Sequence, residues 1–491
     1  MNRSAAVFFI ILVGFVGPGR AQTTSITLEG YLNLVTENHP LFARERLSQE
    51  VEEQDRARLL GARDMRVVFA PSYVTSQPLP VTAFTPERVD QQRAALGVEK
   101  AIWGTGGRLA FSLNTDRLNQ PIDPISFPGV GTITSPSEFY QQNLALTYTQ
   151  PLLQNFRGQL DRLGYELSQY TVEMAALQAL ENREAFLLRM GSMFLEWTAL
   201  GEQLAIAGER LRLTEQQLQQ VESKRRANLV DEVDVLRSED AGRIARQGLL
   251  LVESQWAARR VELAVLARAP ELESLTPDFD LYQRVDHGSS DELLGRLKQD
   301  SRLLALVAKR RAQLERRHRG LEELTRPQLN LVAQLARKGG HEALESSFAF
   351  DKSDAGLFLQ FNYPLGNRGA VAEVRKSRLE LRRNALEKDE ILLDLEAGVR
   401  KLLIQIEDFG KILTLNEEQI ETARRKTTAE LERYNSGRGE LTFVIQSQDN
   451  EERARLAYAT NAATYHTLDL QLQALMDDLL GEKFFGVDRR P

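Results

Sequence analysis

Few of the side chains that do chemistry are grouped in this sequence. Its five histidines, His39, His287, His318, His341 and His466, are dispersed, and none pair at the short spacing by which a helix or turn offers two imidazoles to a metal. It contains no cysteine, which excludes a thiol nucleophile, a thiolate metal site and disulfides. Trp103-Gly104-Thr105-Gly106-Gly107 has glycines enough to approach a phosphate. It lacks the Lys-Ser/Thr of a phosphate loop and reads as a hairpin turn. Carboxylates elsewhere alternate with Arg and Lys, the pattern of a solvated helix face. No catalytic, cofactor-binding or metal-ligating constellation emerges, so the chain is read as not an enzyme. A formal net charge of -7 offers no basic footprint for nucleic acid.

The elements that carry these residues are more informative. None of the 16 prolines falls within 152–269 or 365–490. Proline costs about 3 kcal/mol inside a helix, so each gap predicts long helices. Leu204, Ala207, Leu211, Thr214, Leu218 and Val221 follow a heptad seam, and Leu413, Ile420, Thr427 and Tyr434 recur at heptad spacing. A helix from about Asn155 to Lys224 would run on the order of 100 Å. Each gap breaks once, near Asn228-Leu229-Val230-Asp231 and near Asn435-Ser436-Gly437-Arg438-Gly439, predicting one helical hairpin in each half.

A different period governs the segments between. Leu144, Leu146 and Tyr148 alternate with Asn143, Thr147 and Thr149, and Leu357, Leu359, Phe361 and Tyr363 with Gln360 and Asn362. Leu109, Phe111, Leu113 and Leu329, Leu331, Leu335 do likewise. Segments of roughly ten residues, apolar on one side and small or polar on the other, are the signature of membrane barrel strands. Taken alone they would also fit a soluble antiparallel sheet. Residues 1–21 carry Arg3, an apolar core Ala5–Val16 and Gly19-Arg20-Ala21, the pattern of a secretory signal. No later segment approaches 18 consecutive apolar residues, so no transmembrane helix is expected. An exported chain with long helices and period-two strands favours the barrel.

The order of elements occurs twice. The first repeat is expected over 22–270, with strands about 67–75, 95–102, 108–114 and 143–150 and a helical hairpin over 155–268. A linker over 271–289 leads to the second repeat, 290–480, with strands about 328–336 and 356–363 and a hairpin over 369–480; 481–491 is a tail. The proline-rich loops 77–92 and 117–138 are expected outside the cell, the glycine turn on the periplasmic side.

Several stretches resemble the TolC family of outer-membrane efflux and secretion channels. Thr27-Leu28-Glu29 with Asn38-His39-Pro40-Leu41, Gln150-Pro151-Leu152-Leu153, and Arg433-Tyr434-Asn435-Ser436-Gly437 through Leu441, Val444 and Ile445 carry the likeness. The resemblance spans nearly all of the chain after the signal. It implies an α+β membrane protein: a trimeric transmembrane β-barrel, four to six strands per chain, continued by a long α-helical coiled-coil periplasmic tunnel. Three chains of about six strands would close about eighteen, three of about four about twelve. The implied role is the passive exit duct of a tripartite efflux pump in the outer membrane, with a periplasmic adaptor (membrane fusion protein) and an inner-membrane RND or ABC transporter as partners.

The resemblance also implies a periplasmic gate at the helical tips. Tyr434 matches a tyrosine that bonds an aspartate on a neighbouring coil, and Asp234 matches that aspartate. A pair of aperture aspartates in many relatives is replaced here by Phe443 and Gln446, and a gate arginine by Gly439, with Arg438 adjacent. Asp231 and Glu232 could supply charge nearby. Asn228, Leu229, Val230, Ser436, Gly437 and Gly439 are the candidate adaptor contacts. Two other readings remain at this point: the outer-membrane channel of type I protein secretion, and a soluble periplasmic coiled-coil scaffold or adaptor.

Overall fold

The computed structural model describes residues 25–480, apart from 80–84, 122–123, 128, 130 and 134–136. The expected signal and tail, and parts of both proline-rich loops, lie outside the described residues. In chain order the elements are β1 (Ser25–Thr27), α1 (Leu28–Asn38), α2 (Pro40–Arg58), β2 (Arg66–Ser76), β3 (Val89–Ile102) and β4 (Gly107–Asn119). A small hairpin, β5 (Ile125–Phe127) and β6 (Gly131–Ile133), precedes β7 (Glu138–Pro151), α3 (Leu163–Arg226) and α4 (Glu232–Ala267). Then come β8 (Thr276–Asp278), α5 (Ser290–Asp300), α6 (Arg302–Glu323), β9 (Gln328–His341), α7 (Leu344–Ser347), β10 (Lys352–Asn362), α8 (Arg368–Asn435) and α9 (Leu441–Leu475). No described helix is long and apolar enough to cross a membrane.

The chain forms two compact units, and each draws on both halves of the sequence. One, over 44–182 and 297–396, is built on a six-stranded antiparallel sheet in the order β10-β9-β7-β4-β3-β2. Directly paired residues of neighbouring strands share a face. Phe69, Leu96, Leu113 and Leu144 pair across four strands, and Phe111, Leu146 and Leu335 across three. Opposite them run Ala70, Ala95, Asn114 and Asn143, and Ser112, Ala145 and Ala336. One face thus carries an apolar band and the other is mostly small and polar, with Val68, Val332 and Phe358 as apolar members. The band is uncovered, with Leu359 and Phe69 each 66% exposed. The outward edges of β2 and β10 pair with no strand among the described residues.

The strands outrun their apolar cores. β3 begins at Val89 and β4 reaches Asn119, inside segments expected to be loop. The backbone ladder does not need apolar side chains, and here polar cross-strand pairs extend it. Arg93 Nε donates to Asp116 Oδ1 at 2.6 Å, Arg117 Nε to Glu138 Oε1 at 2.6 Å, and Tyr73 Oη to Asp90 Oδ1 at 3.1 Å. The β9–β10 connection contains α7 and folds back on the sheet, where Gln142 Nε2 donates to Ser347 Oγ at 3.1 Å.

The exit from β7 into the first long helix is not the smooth helix start expected near Asn155. Asn155 (φ 62°), Arg157 (φ 55°) and Gly158 (φ 66°) are left-handed, and α3 begins only at Leu163. Asn155 Oδ1 accepts from Leu160 N at 2.9 Å and Asp161 N at 3.3 Å, replacing the missing helical acceptor. The Trp103–Gly107 turn docks here. Gly106 (φ 75°) lies against the Asn155 carbonyl, and Gly158 against the Trp103 carbonyl, so tightly that neither has room for a Cβ.

The second unit, over 25–43, 183–296 and 397–480, is mostly helical. Its core gathers Tyr31, Leu32, Leu187, Phe194, Trp197 and Leu263, all essentially sealed from solvent. Gly191 lets Leu470 approach, because a Cβ would stand 2.5 Å from that side chain. The 271–289 segment, expected as a linker, is an integral part of this unit. β8 pairs in parallel with β1, and Leu272 and Leu281 are buried. The strap then follows α9: Tyr465 Oη accepts from Val285 N and donates to its carbonyl, both at 3.0 Å, and Tyr282 stacks on Tyr458 at 4.6 Å.

His466 of α9 is buried under this strap, with Nε2 3.0 Å from the Leu281 carbonyl and Phe279 edge-on at 4.9 Å. Burial holds its imidazole below the ordinary 6.5, against smaller opposing pulls from the Leu281 and Gln283 backbone and from Asp469 and Asp280. The folded state therefore resists protonation more than the unfolded chain. This contribution to stability is full above the unfolded value of about 6.5 and is lost as pH falls through the depressed folded value. Amide protection along 279–287, with rates normalised to intrinsic exchange at each pH, should fall as pH falls from about 7.5 to about 5, the range in which imidazoles titrate. His466→Gln should flatten that response. An acid response unchanged in the variant would rule His466 out as its source.

Candidate functional site at the helical tips

Two turns, built alike, reverse the two long hairpins. In the first, Asn228 is left-handed (φ 53°) and Leu229 N donates to Lys224 O at 2.8 Å. In the second, Gly437 is left-handed (φ 73°) and Arg438 N donates to Arg433 O at 2.8 Å. This is the helix-ending motif in which one αL residue lets the chain satisfy the last carbonyls. The return helices then start at the same offset, after the extended residues Asp231 and Glu440. Asp234 and Phe443 therefore take equivalent places in the first turn of α4 and of α9.

The hairpins meet in a small apolar plug of Val221, Tyr434, Leu441 and Val444, with Val230, Val235, Leu431 and Ile445 packed around it. Tyr434 is 7% exposed, and its Oη makes no hydrogen bond to the protein. Lys224 Nζ stands 3.8 Å from the centre of its ring and donates to Asn435 Oδ1 at 3.2 Å. Burial pushes the Tyr434 phenol up, and the charge of Asp234 adds to it. Burial likewise lowers the Lys224 ammonium. Asp234 is near enough to act on Tyr434 electrostatically, but its carboxylate is taken by Arg237, 3.3 Å away on the same helix. The tyrosine–aspartate bond that the resemblance implies is not formed in this arrangement.

The six expected adaptor contacts, Asn228, Leu229, Val230, Ser436, Gly437 and Gly439, border a cleft of about 840 Å³, which Arg438, Phe443 and Gln446 do not line. Arg438 turns back on its own loop, with Nε donating to Ser436 Oγ at 3.1 Å. Leu229 is 72% exposed, and Phe443 and Gln446 are exposed on α9. Arg225 pairs with Glu232 at 3.3 Å. The tip therefore presents the exposed apolar Leu229 and Phe443 among polar and charged side chains, Asp231 and Glu440 included.

Sequence reasoning missed two features. Lys224 gave no signal beyond its place in the last turn of a helix. The buried seam of α3 is Ala207, Arg210, Thr214, Gln217 and Val221, whereas Leu211 and Leu218 of the expected seam are only half-buried. A heptad reading puts leucine inside by default, and here α9 supplies polar partners for Arg210 instead. The histidines have local roles: His39 Nδ1 accepts from Leu41 N at 3.2 Å, His341 Nδ1 from Ala343 N at 3.0 Å, and His318 Nδ1 lies 2.6 Å from Ser377 Oγ.

No family model and no curated protein sequence matches the chain. Solved structures do. The outer membrane protein VceC of Vibrio cholerae is 11% identical, covering 92% of this chain and 96% of its own, with a TM-score of 0.65. The open-state MtrE outer membrane channel of Neisseria gonorrhoeae is 12% identical over 92% of this chain and 89% of its own, with a TM-score of 0.65. The CmeC outer membrane channel of Campylobacter jejuni is 11% identical over 100% of this chain and 98% of its own, with a TM-score of 0.64. The sheet, the long hairpins and these full-length likenesses together give the chain the fold of the TolC-type outer-membrane channels.

Proposed function

We propose that this chain is one subunit of a trimeric outer-membrane channel, the passive exit duct of a tripartite efflux pump. The observation that carries the reading is the six-stranded sheet, apolar on one face and, among the described residues, unpaired at both edges. Lipid offers no water to unpaired backbone groups, so an edge within it must be closed by another chain. Three copies joined β2 to β10 would close a barrel, with the apolar band outward and the small polar face lining the lumen. The long hairpins would extend the duct into the periplasm. Their tips, with Leu229 exposed beside Asn228, Val230, Ser436, Gly437 and Gly439, suit docking by a periplasmic adaptor joined to an inner-membrane RND or ABC transporter.

The test is the mass of the detergent-extracted particle from purified outer membranes. A stable trimer is expected; a soluble monomer or dimer in the periplasmic contents would sink the proposal. The gate reading makes a second prediction. Tyr434→Ala empties the plug, a loss of about 3–5 kcal/mol of packing for a buried aromatic. Such trimers should conduct in planar bilayers under conditions where the parent is mostly shut. Equal conductance in the two would remove Tyr434 from the gate.

A further inference from the structure

The mostly small and polar face of the six-stranded sheet is unevenly charged. Across β3 and β4, Arg93 Nε lies 2.6 Å from Asp116 Oδ1, a balanced pair. At the end beside the Trp103–Gly107 turn, Glu99 stands directly opposite Arg66 and lies 3.9 Å from Arg108, two cations to one carboxylate. At the other end Lys352 pairs directly with Lys338, and Asp354 Oδ2 lies 2.5 Å from Lys338 Nζ, again two cations to one carboxylate. Strand alternation puts all of these side chains on the face of Ala70, Ala95 and Asn114. Both ends of that face therefore have an excess of positive charge, in a chain whose formal net charge is -7.

The facing lysines do not serve the ladder. Like charges directly opposite one another destabilise a sheet, and Asp354 offsets only one of them. Their row continues through Asn143, Asn114, Ala95 and Ala70, so they stand beside neutral amides and small side chains. Closing the barrel brings them no carboxylate from the joining strand. A second copy would set its β2 against β10, and beyond Arg66 that strand offers this face only Val68, Ala70, Ser72, Val74 and Ser76.

We propose that the lumen of this duct selects for anionic solutes, the class of small organic carboxylates, sulfonates and phosphates. Lys338 and Lys352 act at its outer mouth, Arg66 and Arg108 at its inner one. The inference rests on the channel reading, which turns this face toward the lumen. A wall of lysine and arginine attracts anions and repels cations, the device of anion-conducting pores. Low-dielectric walls around a water-filled lumen strengthen the field.

Reversal potentials of the full-length trimer in planar bilayers, measured across a KCl gradient, test this. The parent should pass chloride more readily than potassium. Lys338→Gln with Lys352→Gln leaves Asp354 alone at the outer mouth. That variant should lower the chloride-to-potassium permeability ratio about threefold or more at low salt, the difference shrinking as added salt screens exposed charge. Arg337→Gln is the control, because it removes a cation one residue away on the opposite face, where Arg337 pairs with Leu144. It should leave the ratio unchanged. A conducting parent that prefers potassium, or a ratio equal in the parent and the double variant, would overturn the selectivity alone. A parent that forms no conducting trimer would overturn the channel reading, and the selectivity with it.

Discussion

Leu146→Arg is expected to empty the outer-membrane fraction of this protein, while Thr147→Arg leaves it in place. Leu146 sits in the middle of the apolar band, paired with Phe111 on one side and Leu335 on the other. Thr147 pairs with Ala110 and Gln334 on the opposite face. An arginine facing lipid near the midplane costs about 2–4 kcal/mol per copy, and a lumen position carries no such penalty. In the proposed trimer, three copies would multiply the difference. The measurement is the amount of trimer in washed outer membranes at equal synthesis. Equal loss in the two variants would mean that the faces are not lipid and lumen, and equal retention would mean that the sheet is not in a membrane.

The second large effect is expected at Gly158. Its backbone is left-handed, which alone costs a residue with a side chain about 1–2 kcal/mol. A Cβ there would also run into the Trp103 carbonyl, a backbone atom that cannot swing aside. Gly158→Ala should therefore undock the β3–β4 turn from the start of the helical hairpin and lower the melting temperature of the detergent-extracted protein. Gly104→Ala is the control, since a Cβ at Gly104 meets nothing within 4 Å. Equal melting of the two variants would mean that this docking contributes little.

Much of the architecture was legible because it follows from local rules. Proline-free stretches of Leu, Ala, Glu, Gln, Arg and Lys favour long helices, and α3 and α8 run 64 and 68 residues. The alternation of Leu144, Leu146 and Tyr148 with Asn143, Thr147 and Thr149 marked β7 and its two faces. Gly437 marked one tip by its backbone preference, and Asn228 marked the other less plainly.

What no local rule reaches was decided by partners distant in the chain. The polar ends of β3 and β4 are strand because Arg93 meets Asp116 and Arg117 meets Glu138. The 276–278 segment is strand because β1 lies beside it, and the strap is anchored because Tyr465 meets both polar groups of Val285. Arg210 lies inside the seam, ahead of Leu211, because α9 brings Gln448 and Asp449 to the guanidinium. Periodicity ranks side chains by hydrophobicity within one helix. Which face is buried, and whether a charge can be buried with it, depends on what the neighbouring helix presents, and that is set only when the two pack.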